Sequence, residues 1–515
     1  MKIKIIFYLF VIAMVTNFTT ATAQEWFDKM EDQSANFFDV QKEANAYFEI
    51  HGQGRGTLYK QFKRWESGMQ YQIDEKGNRI APKTIYERVN KFEAQTSNRA
   101  QRATNWTELG PFNWKATSGW NPGNGRIDYI AVDPKNTSAI YVASPEGGCW
   151  KTTNGGSTWS SLTDGLTYMK IGCVGVDPNN SNNVFIGTTG AGLLKSTTGG
   201  TSLTPVAGGL PTNLNIRKIL VDPSNSNTIL LATSSGIYRT INGGTAWTKT
   251  STVASNDIEF KPGNSSIVYS AGTSFYKSTD GGVTFVNVTS GITTTGRSFI
   301  SVTPANAEYI YLVQAKGQEF GAFYRSTNSG TSFTSMVTGD PANGTNFFGY
   351  DADGKGTGGQ ASYDMAMCAS PTVLDEVHIG GIITWKTTNG GNSWVATTVW
   401  SYPNNTGYTH PDIHALEYVG NNLYVGSDGG ISLSTDKGGN FASISAGLGI
   451  RMFYRLGCSA SDPAMVVTGA QDNGCSLLKS TGWIDWLGAD GMEAFIDPTN
   501  SNNIYGSTQQ GSLYK

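Results

Sequence analysis

The sequence predicts an all-β chain: a β-propeller of four-stranded blades behind a short helical leader. Three observations carry this. A turn phrase recurs along the chain, as KTTNGGSTW (Lys151 to Trp159), RTINGGTAW (Arg239 to Trp247), KSTDGGVTF (Lys277 to Phe285), RSTNSGTSF (Arg325 to Phe333), KTTNGGNSW (Lys386 to Trp394) and STDKGGNF (Ser434 to Phe441). Its turn position falls at 154, 198, 242, 280, 328, 389 and 436, at intervals of 38 to 61 residues, the size of a propeller blade. A second phrase alternates with it, most clearly as VDPKNTSAIYVAS (Val132 to Ser144), VDPNNSNNVFIGT (Val176 to Thr188), VDPSNSNTILLAT (Val221 to Thr233) and IDPTNSNNIYGST (Ile496 to Thr508).

Each phrase has a mechanism. In the first, a short polar side chain bonds nearby backbone N–H groups and glycine supplies positive φ, which makes a tight turn. The Trp or Phe that follows opens a strand and plugs the space between blades. In the second, Asp-Pro-x-Asn turns the chain into a β-branched or aromatic strand. One repeat therefore reads strand A, Asp-Pro turn, strand B, variable loop, strand C, Asx-Gly turn, strand D. The A–B and C–D turns share one face, and the B–C and D–A loops share the other, where propellers usually bind.

Ahead of the repeats come two other segments. Residues 1–23 read as a secretory signal, with Lys2 and Lys4 before an apolar run from Ile5 to Val15 and Ala21-Thr22-Ala23 as the cleavage site. That run is too short to span a bilayer, and no later segment is long enough. Residues 24–104 form a charged leader: 25 of the 80 residues from 25 to 104 are charged, against 50 in the 411 that follow. Aromatic residues at helical spacing around Phe37, Phe38, Phe62 and Trp65 predict helices. The propeller occupies residues 105–515. The net charge of −3 argues against nucleic acid as a partner. Five cysteines match no metal spacing; Cys149 with Cys173, or Cys458 with Cys475, are candidate disulfides, the alternative being buried strand residues.

The turn phrase resembles that of the Asp-box, or bacterial-neuraminidase-repeat, propellers over roughly residues 105–515. That family includes sialidases, sortilin-type receptors, two-propeller xyloglucan hydrolases and non-enzymatic assembly factors, so the resemblance implies a fold and leaves the activity open. The leader, through Trp26-Phe27, Asn36-Phe37 and Tyr59 to Glu66, resembles the N-termini of surface propellers of Bacteroidota that carry type IX sorting domains. The repeats amount to eight blades and most of a ninth. Gly511 to Lys515 read as a strand C running toward its turn, as in a ring of up to ten blades, or a second ring, truncated at its C-terminus. Alternatively Asn105 to Leu109 supplies the missing strand D.

Candidate chemistry gathers late in the chain. Two of the four histidines lie in Thr409-His410-Pro411-Asp412-Ile413-His414, where strand periodicity puts His410, Asp412 and His414 on one face. Loop topology brings Asp428 in Ser-Asp-Gly-Gly, Asp472 in Gln-Asp-Asn-Gly, and Asp490 and Glu493 in Gly-Ala-Asp-Gly-Met-Glu to the same mouth. Three readings stand side by side. Asp412, Asp428, Asp472 and Asp490 are candidate catalytic carboxylates of a glycoside hydrolase. His410, Asp412, His414 and Asp428 are candidate ligands of a divalent cation such as Ca2+, with no cofactor otherwise required. Or all are turn residues. His410, His414, Glu146, Glu493, Trp400 and Tyr402 are candidate ligand contacts, the aromatics as platforms for sugar rings together with Phe347, Phe348 and Tyr350. The resemblance supplies no complete active site. The xyloglucan hydrolases carry a catalytic Asp in a Thr-Asp-Ile-Gly-Gly loop of blade one, where this chain has Ser144-Pro145-Glu146-Gly147-Gly148. Gly125-Arg126-Ile127-Asp128 only partly matches the first arginine motif of sialidases, and Arg126 more simply anchors blade one. The expected function is a secreted or cell-surface module binding polysaccharide or surface protein. The alternatives are a polysaccharide hydrolase and a structural part of an outer-membrane export or adhesion machine.

Overall fold

A computed structural model describes residues 23–54, 57–96, 107–116, 121–166, 170–211, 213–401 and 407–515. The expected signal segment falls outside them except for Ala23. Two compact units divide the chain between Ile80 and Ala81.

In the first unit, helices α1 (Ala23–Glu31), α2 (Phe37–His51) and α3 (Tyr59–Met69) share an aromatic core. Trp26, Phe27, Ala44, Phe48, Leu58 and Phe62 are buried there, with Trp65 partly buried against them. Asn36 caps α2 by accepting the Phe38 N–H at 2.9 Å. Helix geometry turns the two adjacent phenylalanines to different sides: Phe37 is 3% exposed and Phe38 47% exposed. The helix α4 (Pro82–Thr96) belongs to the second unit.

The rest of the second unit is β. Eight four-stranded antiparallel sheets follow in chain order, each running A-B-C-D from its first strand outward, and a final three-stranded one runs A-B-C. They span 129–161, 171–205, 216–251, 257–287, 298–338, 366–396, 413–443, 453–487 and 494–514. Several outermost strands are only two residues long, as in Ser160–Ser161 and Ala442–Ser443. The A strands of sheets one to seven touch in succession, and that of sheet seven returns to that of sheet one. Seven sheets therefore close a circuit that sheets eight and nine do not enter, which runs against a single ring of eight to ten blades. The closing seam is well bonded. Asn124 N–H donates to Gly429 O at 2.9 Å, and Ile127 N–H to Ser427 O at 3.0 Å. Trp159, the plug residue of the first turn phrase, is 9% exposed and donates its indole N–H to Ile444 O at 2.8 Å. The fully buried Asn124 amide donates to Phe112 O, Ser445 O and Leu448 O. The backbones come so close here that a Cβ on Gly123 would lie 2.1 Å from Gly429 Cα.

The repeat chemistry is visible bond by bond. In seven sheets a hydroxyl two residues before the turn position accepts the N–H of the residue four further on, at 2.8 to 3.2 Å. These hydroxyls in turn donate to the side chain at the turn position: Thr152 to Asn154 Oδ1, and Ser278 to Asp280. The basic residue that opens the phrase has a role the sequence reading does not assign. Lys151 donates to Gly199 O, Lys195 to Gly243 O, Arg239 to Gly281 O and Lys386 to Lys437 O, each reaching the turn of the next sheet. In the second phrase, Asp133, Asp177, Asp222 and Asp497 accept the N–H two residues on, closing the Asp-Pro turns.

Two alternatives left open by the sequence are decided in this unit. No disulfide forms: all five cysteines are free, and Cys149, Cys173, Cys368 and Cys475 are buried strand residues, the other alternative. Thr107 to Leu109 form no strand, and sheet nine has three strands; Leu109 O instead accepts the Trp483 indole N–H of sheet eight. Among the described residues no helix is long and apolar enough to cross a membrane.

Candidate functional site: an acidic junction of five loops

Five loops meet beside the seam. They are the lead into sheet one (Arg126, Asp128), the lead into sheet six (Gln360 to Asp364), the lead into sheet seven (His410 to His414), and the B–C turns of sheets seven (Asp428) and eight (Asp472). All are D–A or B–C loops or their equivalent, so the shared face follows from the repeat. Two aspartates sit in left-handed backbone, Asp412 with φ 64° and Asp472 with φ 53°, a conformation Asp tolerates better than most residues. Glycine is required at Gly429, where a Cβ would stand 2.2 Å from the His410 ring.

The centre is Asp428, 2% exposed. Its Oδ2 accepts the Tyr363 hydroxyl at 2.8 Å and its Oδ1 lies 2.9 Å from His414 Nε2. The Arg126 guanidinium stands 3.8 Å away, pairs with Asp128 and lies over the Tyr363 ring at 4.6 Å. One oxygen each from Asp412, Asp428 and Asp472 lie within 4.8 Å of one another. Gln360 Nε2 donates to Asp412 Oδ1 at 2.6 Å and to Asp364 Oδ2 at 3.3 Å. Asp490, 1% exposed, accepts the Asp472 N–H at 3.0 Å and fixes that loop.

Burial sets the protonation. It pushes Asp428 up to about 7, with Asp472 adding repulsion and Arg126 pulling the other way. Asp364 is pushed well above the usual carboxylate range by burial and then by Asp412 and Asp428. His414 is driven down to about 3 by burial and by Arg126, so it is neutral at pH 7 and donates its Nε2–H to Asp428. Burial also lowers His410, against the pull of Asp428 and Asp472; its Nε2 lies 3.0 Å from Asp472 O.

Next to this junction, sharing His410 and Gly429, is a cavity of about 180 Å³. Trp114, Asn121, Tyr408, Asn440 and Phe441 line it, an aromatic and amide surface.

Of the residues singled out in the sequence, His410, Asp412, His414, Asp428, Asp472 and Asp490 do come together. Strand periodicity is not what gathers the first three, however. Strand A of sheet seven begins at Ile413, because Pro411 and the left-handed Asp412 break the extended run, and a register shift follows between Ile413 and Ala415. The histidines are spent on hydrogen bonds to Asp428 and to Asp472 O rather than presented as free ligands. Glu146 pairs with Lys170 at 3.1 Å and Glu493 with Arg455 at 3.6 Å, both at the surface. Trp400 is 37% exposed and bonds Tyr350 O, so it remains a surface aromatic. Tyr402 lies outside the described residues. Phe347 and Phe348 are core residues under sheets five and six, not platforms. Sequence reasoning missed Gln360, Tyr363 and Asp364, which sit in a glycine-rich insertion with no repeat register, and it placed Arg126 only as an anchor. The one available signal was the run Gln360-Ala361-Ser362-Tyr363-Asp364, polar chemistry immediately before a strand A.

No protein-family model and no curated protein matches this chain. Solved structures do. An ancestral GH74 enzyme aligns at 18% identity and TM-score 0.56, over 79% of this chain and 61% of its own. The GH74 enzyme of Niastella koreensis aligns at 18% and 0.51, over 76% and 71%; the GH74 xyloglucanase of Xanthomonas campestris at 15% and 0.51, over 78% and 73%. The chain thus spans about three fifths of the first of these. At such identities the likeness is one of fold: a mostly β chain of propeller-type sheets.

Proposed function

We propose that this chain is an exported, surface-exposed propeller that holds a polysaccharide or a surface protein on its B–C and D–A loop face. The observation that carries this reading is the cavity beside the acidic junction. Its lining combines Trp114 and Tyr408 with Asn121 and Asn440, aromatic and amide side chains of the kind that pack on a sugar ring while bonding its hydroxyls. At about 180 Å³ it is smaller than the roughly 300–1,000 Å³ of pockets that enclose a whole drug-sized ligand, so it suits one residue of a longer polymer. The geometry favours holding over cutting. Inverting glycosidases separate their carboxyl groups by roughly 6.5–9.5 Å to admit water, and retaining ones by roughly 5–5.5 Å. Here the central carboxyl is buried and both its oxygens are engaged, by Tyr363 and His414.

Hydrolysis of a polysaccharide is the second reading. Asp428, near 7, has the proton affinity of a general acid. The fold neighbours include a xyloglucanase. One experiment separates the two. Immobilised protein is offered a panel of soluble polysaccharides and extracted surface proteins, with a reducing-end assay on the same samples. Retention without new reducing ends, weakened by Trp114→Ala, is the expected outcome. New reducing ends lost in Asp428→Asn establish the hydrolase. Neither retention nor release overturns both.

A further inference from the structure

We propose that the cavity beside the junction takes an uncharged sugar residue, with Thr409 as the partner of one of its hydroxyls, and turns away residues that carry a carboxylate, a sulfate or an ammonium group. This rests on the reading of the cavity as the place where a glycan is held, and it names the class of glycan. Two independent observations meet there. The first is the lining. Among the described residues it is aromatic, amide, hydroxyl, proline and glycine, with the His410 ring, and it includes no Asp, Glu, Lys or Arg. The second is Thr409. It lines the cavity, is 2% exposed, and no group of the protein bonds its Oγ1. Buried hydroxyls are normally bonded, so one left over in the wall of a cavity is matched to what fills that cavity.

The charged groups nearby are engaged elsewhere. Asp428 lies between the lining residues Ser427 and Gly429, and its oxygens are taken by Tyr363 and His414. Asp436 accepts from Ser434 and from the Asn440 amide, each at 2.7 Å, which leaves Asn440 its carbonyl oxygen to offer. Arg126 pairs with Asp128, and Lys115, next to Trp114 in the chain, is not part of the lining. Burial favours the neutral form of the His410 ring, so it adds no charge either.

The lining therefore selects by what it lacks as well as by what it offers. An anionic sugar would leave water with no cation to meet it, and with the Asp428 and Asp436 carboxyls close behind residues of the wall. A cationic sugar would find no carboxylate in the wall. Burying an unpaired charge costs far more than burying a hydroxyl that finds its partner. What the wall does offer is hydroxyl chemistry: the Thr409 Oγ1 can donate or accept, and the Asn440 oxygen accepts.

The test immobilises the whole chain and offers soluble probes in sets matched except for charge. These are hydroxyethylcellulose with carboxymethylcellulose, a galactan with its sulfated form, and chitin oligosaccharides with their deacetylated forms. In each set that binds, the uncharged member should bind at least about tenfold tighter, the margin that one unpaired polar group commands. A charged member that binds as tightly as its uncharged mate overturns this inference and leaves the glycan reading standing. Retention of surface proteins alone also overturns it, and retention of nothing removes the proposed function with it. Thr409→Val then keeps the shape and removes the hydroxyl. Binding of the uncharged member should weaken about tenfold. The urea midpoint should hold or rise, because a hydroxyl without a partner in the free chain stabilises nothing there. A midpoint that falls with the affinity would make the hydroxyl structural, and an unchanged affinity would make it idle; either overturns Thr409 as the ligand's contact.

Discussion

Replacing Glu417 by Gln should stabilise the propeller, and more so as pH rises. Glu417 lies on strand A of sheet seven, among the innermost strands of the seven-sheet circuit. There Lys218 donates to both Asp257 and Glu259 at 2.6 Å, so the lysine already has two partners. Burial pushes Glu417 from 4.5 up to about 7; Lys218 pulls it down, and Glu259 and Asp257 push it further up. The folded chain therefore holds a proton on Glu417 that the unfolded chain releases near pH 4.5. That preference stabilises the fold fully below pH 4.5 and is lost as pH rises toward 7. A tenfold difference in proton affinity between the folded and unfolded chain is worth about 1.4 kcal/mol, so the full loss is about 2–3 kcal/mol once partial exposure is allowed for. Glutamine keeps the shape without the charge. Urea unfolding followed by tryptophan fluorescence should show Glu417→Gln within about 1 kcal/mol of the parent at about pH 5, and about 2–3 kcal/mol more stable at about pH 8. An equal difference at both pH values, or a variant less stable at the higher one, would show that Glu417 is ionised and compensated in the folded ring.

Three further outcomes follow from the packing. Trp159→Ala opens the seam between sheets one and seven and should lower stability by about 3–5 kcal/mol, read from the same urea transition; a loss below about 1 kcal/mol would mean that the ring is latched elsewhere. Ser326→Ala removes the hydroxyl that accepts the Gly330 N–H at 2.9 Å in a buried turn, and about 1–3 kcal/mol should go with it, whereas removal of an idle surface hydroxyl would be silent. Phe62→Ala empties the centre of the leader's aromatic core and should cost that unit about 3–5 kcal/mol, seen as rapid proteolysis within residues 57–80 while the propeller's own transition holds its midpoint; resistance to protease would show that Phe62 carries little of that core.

The blades were legible because their determinants are local. A hydroxyl, an Asx and a glycine within five residues specify the turn wherever they occur, and the pattern repeats at blade length. Circuit closure was not legible, for the opposite reason. Trp159 reaches Ile444, and Gly123 meets Gly429, across some three hundred residues, and nothing in either phrase names its distant partner. The opening Lys or Arg of each phrase shows the limit from the other side. Its bond lies in the next sheet, so a reading confined to one repeat sees only a solvated charge.

The same distinction separates what was legible in the candidate site from what was not. Asp428 and Asp472 were located by loop topology, a property of the repeat, and topology survived. Asp412 was located by strand periodicity, a property of a regular segment, and the segment is irregular: Pro411 ends the extended run and Asp412 turns left-handed. Yet Asp412 still arrives beside Asp428, because its N–H and O face Ile382 O and the Asp428 N–H, and these bonds hold the loop rather than a strand. Asp364 has no repeat to place it at all. Its presence changes the chemistry, since burial, with Asp412 and Asp428 beside it, holds it well above the usual carboxylate range.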